Sequence, residues 1–170
     1  MLDSRFRPIN ICFAIPGSFI KMPRSAKIKS STSISFLLIG SCAACDGLAL
    51  RSNAGATVFL AVEYTSTANG SLELWKFNGA WTNLAKTTGL YPGGVTTAPA
   101  ALTLRAEAST PIAPATATTV RCYLGGTLRL TFTLTAADQG TFSAAAQTYV
   151  GPYTYSDATS TFDNFHVDTP

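Results

Sequence analysis

From residue 48 onward the chain alternates apolar and polar side chains at a period of two, the signature of strands with one buried face. Leu48 and Leu50 flank Ala49 and precede Arg51, and the run stops at the turn formers Ser52-Asn53-Ala54-Gly55. Residues 57–64 set Val58, Leu60, Val62 and Tyr64 on one side. Asn69-Gly70 turns the chain into residues 71–77, where Leu72 and Leu74 share one side and Trp75 and Phe77 the other. Asn78-Gly79 follows at once and leads into Ala80-Trp81-Thr82, which predicts a hairpin with a type I′ turn. A second hairpin is predicted at Gly125-Gly126, between a strand with Val120, Cys122 and Leu124 on one side and a strand with Leu128, Leu130, Phe132 and Leu134 on one side. Residues 101–106 add another alternating strand, and only residues 135–139 suggest a helical turn. Short strands at spacings of about 8–12 residues indicate an all-β, antiparallel two-sheet β-sandwich.

The front of the chain behaves differently. Residues 1–30 contain many apolar side chains, but Pro8, Pro16, Gly17 and Pro23 interrupt any regular element, so residues 1–32 are expected to be an irregular N-terminal segment before a sandwich over 33–170. Residues 33–39 read as a body strand. A competing reading starts at Met22: a basic stretch, an apolar run and small residues before Cys42 follow the order of a lipoprotein signal. The apolar run is short for such a signal, so the strand is preferred.

Composition supports a sheet protein. Of 170 residues, 46% are apolar and only 12% charged, about half the usual charged share of a soluble domain. Thr, Ser, Ala and Gly take the vacant positions, as suits hydroxyl-covered sheets outside the cell, at the cell surface or on a virion. The net charge of +3 is unevenly placed. Residues 1–30 hold six basic residues against Asp3 and residues 31–170 six against eight acidic ones, so the body is slightly acidic. That argues against nucleic acid as a partner, because no basic cluster marks the body. No run reaches the roughly 18–20 apolar residues of a membrane-spanning helix.

The segment from Gly47 to Val167 resembles the concanavalin A-like lectin/glucanase superfamily, in particular its laminin-G-like domains of bacterial and phage type. The resemblance rests on Gly47-Leu48-Ala49-Leu50-Arg51, a strand ending in Tyr64, and the Leu72-Glu73-Leu74-Trp75-Lys76-Phe77-Asn78-Gly79 hairpin. Tyr123-Leu124-Gly125-Gly126, Gly151-Pro152-Tyr153 and the closing Phe162-Asp163-Asn164-Phe165-His166-Val167 complete it. It implies a jelly roll of two curved sheets whose partner is a glycan or cell-surface polysaccharide. One departure stands out. Such domains begin with a strand that pairs beside the last one, and residues 1–32 do not look like that strand, so the N-terminal part is expected to be incomplete or irregular.

Candidate chemistry is sparse. Glucanases of the superfamily pair carboxylates on one strand, whereas Glu63, Glu73 and Glu107 are isolated along this chain, so no catalytic residues are expected and the protein is not read as an enzyme. Cys42-Ala43-Ala44-Cys45 has redox spacing, yet no helix follows to lower a thiol pKa, and His166 has no placed nucleophile or acid. Asp163 and Asn164 are the candidates for a structural calcium site, against the plainer role of capping backbone groups at a strand start; no other cofactor is called for. Exposed aromatic rings stack on the apolar faces of sugars, and Trp81, Tyr91, Tyr153 and Tyr155 lie at or near predicted turns. The expected function is therefore a non-catalytic carbohydrate-binding or adhesion module. A structural sandwich of a phage particle or surface assembly is the alternative, and a degenerate glycoside hydrolase the third reading.

Overall fold

In the computed structural model, which describes residues 31–39, 45–65, 69–91, 101–109, 117–142, 149–155 and 161–168, the alternation resolves into ten strands and one short helix. The strands are β1 (Ser31–Ile39), β2 (Cys45–Ser52), β3 (Val58–Thr65), β4 (Ser71–Asn78), β5 (Trp81–Thr88), β6 (Ala101–Ser109), β7 (Thr119–Leu124), β8 (Thr127–Thr133), β9 (Tyr149–Tyr155) and β10 (Thr161–Asp168). Helix α1 (Ala136–Phe142) lies between β8 and β9. Two antiparallel five-stranded sheets result: a first with the order β10-β1-β6-β7-β8 and a second with the order β5-β4-β3-β2-β9. The protein is an all-β sandwich.

The strand missing from the sequence reading is found in residues 31–39. β1 pairs with β10 on one side, with Ile34 opposite Val167 and Leu38 opposite Phe162, and with β6 on the other. The neighbour that the resemblance calls for beside the last strand is therefore β1, which contains the body strand expected over residues 33–39. Nothing local in the sequence shows that residues 31–39 and 161–168 meet across most of the chain. Val167 packs on the core, and the side chain of Phe165 lies outside the described residues. So do residues 1–30 and the cysteines Cys12 and Cys42.

The core lies between the sheets. Leu48, Leu50, Leu60, Val62, Tyr64, Leu72 and Leu74 of the second sheet face Leu104, Ala106, Val120, Cys122, Leu124 and Leu130 of the first. Two local expectations change. A bulge between Cys122 and Tyr123 sets Leu128 opposite Tyr123, outside the core and 48% exposed, while Leu130, Phe132 and Leu134 stay with the core cluster. At the β4–β5 hairpin, Phe77 pairs with Trp81 across residues 78–80, and of these only Gly79 has a left-handed φ, 75°. The turn is a three-residue loop and not type I′. Gly125 and Gly126, at 57° and 79°, do form the predicted two-residue turn.

Helix α1 is longer than the single turn expected, and its polar side chains tie the sheets together. Thr135 caps it: its hydroxyl accepts from the Asp138 backbone N–H and donates to Asp138 Oδ2 at 2.8 Å. Lys76 of β4 reaches Asp138 Oδ1 at 2.6 Å, and Gln139 accepts from the Thr118 N–H at 2.7 Å beside β7. Burial opposes the charged form of Asp138, but the bonds from Lys76 and Thr135 and the Lys76 charge outweigh it and hold the carboxyl below its usual range. Phe142 then fills the core from the helix end. Arg51 makes a further link between the sheets. Its left-handed φ of 50° falls at the β2 irregularity between Ala49 and Ser52, and its buried guanidinium donates to the Ser109 carbonyl at 3.3 Å.

Two substitutions test this packing. A Cβ at position 47 would overlap the Val62 carbonyl oxygen across the β2–β3 pair. Gly47→Ala should cost about 2–3 kcal/mol, on the scale of overpacking a tight interior, read as a lower denaturant midpoint; an unchanged midpoint would contradict the close approach. Cys122 is buried, and burial pushes its thiol from 9.0 up to about 12. Because the folded value lies above the unfolded one, its contribution is complete below pH 9 and drains away between pH 9 and 12. At pH 10 the loss is about 1.4 kcal/mol. The stability difference between wild type and Cys122→Ala should therefore shift by that amount between pH 8 and 10, measured by urea unfolding.

Candidate functional site: the outer face of the second sheet

Strand alternation gives the second sheet two apolar faces. The face opposite the core carries Ala49 of β2, Phe59 and Ala61 of β3, and Trp75 and Phe77 of β4, which form a second cluster separate from the sandwich interior. Register explains the grouping. Ala49 stands opposite Ala61, Ala61 opposite Trp75, Phe59 opposite Phe77, and Phe77 opposite Trp81 of β5. Directly opposed residues of an antiparallel pair lie on the same face within side-chain contact.

The aromatic rings meet at Trp81. Its ring centroid lies 5.5 Å from Phe59 and 6.4 Å from Trp75, both edge-to-face at 85° and 89°, and 5.1 Å from Phe77. Phe59 and Phe77 are 5.4 Å apart beneath it. Phe59 is buried, Trp75 and Phe77 are half-buried, and Trp81 is 36% exposed. A large ring packed against three others that keeps 36% of its surface exposed is a supported platform, able to stack on a ligand without losing much side-chain freedom.

A polar row borders the platform. Glu63 of β3 stands directly opposite Glu73 of β4, and Glu73 opposite Lys86 of β5. The Glu73 carboxylate accepts from Lys86 Nζ at 2.6 Å, Ser71 Oγ at 3.0 Å and Asn83 Nδ2 at 3.2 Å. Glu63 is buried, whereas Asn83 and Lys86 are exposed. The two glutamates that look isolated in the sequence are neighbours in the sheet, ten residues apart along the chain and joined by the β3–β4 register. A search for acid pairs along one strand cannot find them.

The aromatic residues singled out from the sequence do not gather at one place. Trp81 sits at the Asn78-Gly79 end of β5, on the outer face. Tyr91 follows the other end of β5, roughly 23 Å away for seven strand steps. There its ring packs edge-to-face on Tyr64 at 6.4 Å and rests against the core, and burial raises its hydroxyl pKa. Tyr153 and Tyr155 belong to β9, at the far edge of the same sheet, in register with Gly47 and Cys45; their side chains lie outside the described residues. Asp163 and Asn164 are inside β10 rather than at its start, with Asp163 opposite Leu37 next to a bulge, and their side chains also lie outside the described residues. Among the described residues no group of three or more His, Cys, Asp and Glu could hold a metal ion. The signal that could have found the site was the double pattern in residues 71–77, leucines on one face and aromatics on the other.

The fold recurs among solved structures. The carbohydrate-binding module CBM66 from Bacillus subtilis is similar at 19% sequence identity, with 85% of this chain and 78% of that chain covered and a TM-score of 0.54. The galectin LEC-6 of Caenorhabditis elegans is similar at 10% identity, covering 94% of this chain and 91% of that chain with a TM-score of 0.52. No protein-family model and no curated protein matches the chain. At such identities the likeness speaks for the fold alone, a two-sheet β-sandwich.

Proposed function

We propose that this protein is a non-catalytic carbohydrate-binding module of laminin-G-like type, displayed outside the cell or on a virion, and that its glycan site is the outer face of the second sheet around Trp81. The observation that carries the reading is the solvent-exposed indole of Trp81, braced by Phe59, Phe77 and Trp75 and bordered by Asn83, Lys86 and Glu73. Sugar rings present flat C–H faces and hydroxyl edges, and an aromatic platform beside amide and charged groups answers both. The sandwich architecture shared with a carbohydrate-binding module and a galectin supports the same reading by fold alone. The non-catalytic part rests on the Glu63–Glu73 pair. Hydrolysis needs two carboxyl groups open to substrate on either side of the scissile bond. Here Glu63 is shielded, and both Glu73 oxygens are already engaged by Lys86, Ser71 and Asn83.

Trp81→Ala should weaken binding to any glycan found on an array by at least about tenfold, a loss of about 1.4 kcal/mol, with cooperative urea unfolding retained. Tyr91→Ala, at the other end of β5, should lower the melting temperature and leave glycan affinity as it is. Absence of binding to every glycan, together with self-assembly into oligomers, would favour the structural role in a particle or surface assembly instead.

A further inference from the structure

Strand β5 contains an extra residue placed where it matters for the site. Pairing with β4 is regular from Ser71 opposite Thr88 to Leu74 opposite Ala85, then shifts so that Trp75 stands opposite Asn83, leaving Leu84 as the added residue. In an uninterrupted strand Asn83 and Lys86, three positions apart, would point to opposite faces. With the bulge, Leu84 and Ala85 both pack against the sandwich core, while Asn83 and Lys86 both meet Glu73 on the outer face. Bulges commonly re-aim side chains in this way beside functional sites.

The result is a fixed set of outward-facing hydrogen-bonding groups. Glu73 is nearly enclosed, its side chain 12% exposed, while the Lys86 side chain is 48% exposed. An ammonium carries three donors, so Lys86 keeps donors beyond the one on Glu73, and Asn83, which donates through Nδ2, keeps its carbonyl oxygen as an acceptor. A donor and an acceptor side by side suit adjacent hydroxyls, each of which both gives and takes a hydrogen bond. The charge of Lys86 is matched by the Glu73 carboxylate at 2.6 Å, so the group offers an anion no net attraction. Trp81 lies two residues before Asn83 on the same face, about 6.6 Å along the strand.

We infer, on the basis of the glycan-binding reading above, that Glu73, Asn83 and Lys86 form a polar clamp that selects neutral sugars with adjacent hydroxyls over uronate-bearing or sulfated glycans. Glu73 acts as a positioning residue that orients the other two, and Asn83 and Lys86 touch the sugar stacked on Trp81.

The test titrates the full chain with laminarin and dextran as neutral probes and with alginate and heparin as anionic ones, by isothermal titration calorimetry. Wild type is compared with Trp81→Ala, Asn83→Ala and Lys86→Met, and the melting temperature of each is recorded. The expected result is binding to a neutral probe that exceeds binding to either anionic one. That binding should be lost in Trp81→Ala and weakened five- to tenfold in both Asn83→Ala and Lys86→Met, with melting temperatures close to wild type. Neutral-probe binding that depends on Trp81 but is unaffected by both clamp substitutions would overturn the clamp and leave the glycan-binding reading standing. Preference for alginate or heparin would overturn the neutral selectivity. Failure of all four probes to bind would overturn both readings.

Discussion

The register of β3 against β4 is the constraint on which both faces of the second sheet depend. With Val62 opposite Leu74 and Ala61 opposite Trp75, leucine and valine fill the sandwich interior and the aromatic residues gather outside. A slip of one residue would exchange the two sets, sending Trp75 and Phe77 inward and exposing the leucines. The same register brings Glu63 beside Glu73. Left-handed Asn69 and Gly70 lead directly into β4 on the side of the β3–β4 connection. One strand pairing therefore sets the core and the candidate site at once.

Two further devices keep that sheet in place against the other. Arg51 reaches across from the β2 irregularity to the Ser109 carbonyl, and α1 holds β4 through Lys76 and the start of β7 through Gln139. The outer aromatic cluster lies on the opposite face of the sheet, where its rings pack on one another. Such a surface can be rigid enough to bind without contributing much to sheet-to-sheet packing.

Local features were well legible in the sequence. The faces of β3 and β4, the Gly125-Gly126 turn and, among the described residues, the absence of long helices all follow from period-two alternation and turn residues. What escaped were features that depend on two distant segments or on one extra residue. The β1–β10 pairing joins opposite ends of the described chain. Glu63 and Glu73 become neighbours only through the β3–β4 register. The bulges at Leu84 and in β8 reverse the face of the residues beyond them, which is why Leu128 looked like a core residue and Lys86 did not look like a partner of Glu73. Trp81 and Tyr91 looked alike in sequence, both near turns, and were separated only when β5 was seen to run between them.

The chain has two tryptophans, Trp75 and Trp81, and both lie in the outer cluster, so the account can be read from two indole N–H signals. A ¹H–¹⁵N correlation spectrum recorded during titration with a bound glycan should show both indole signals shifting with the ligand, Trp81 the more. Binding that moves neither indole would contradict a site on this face.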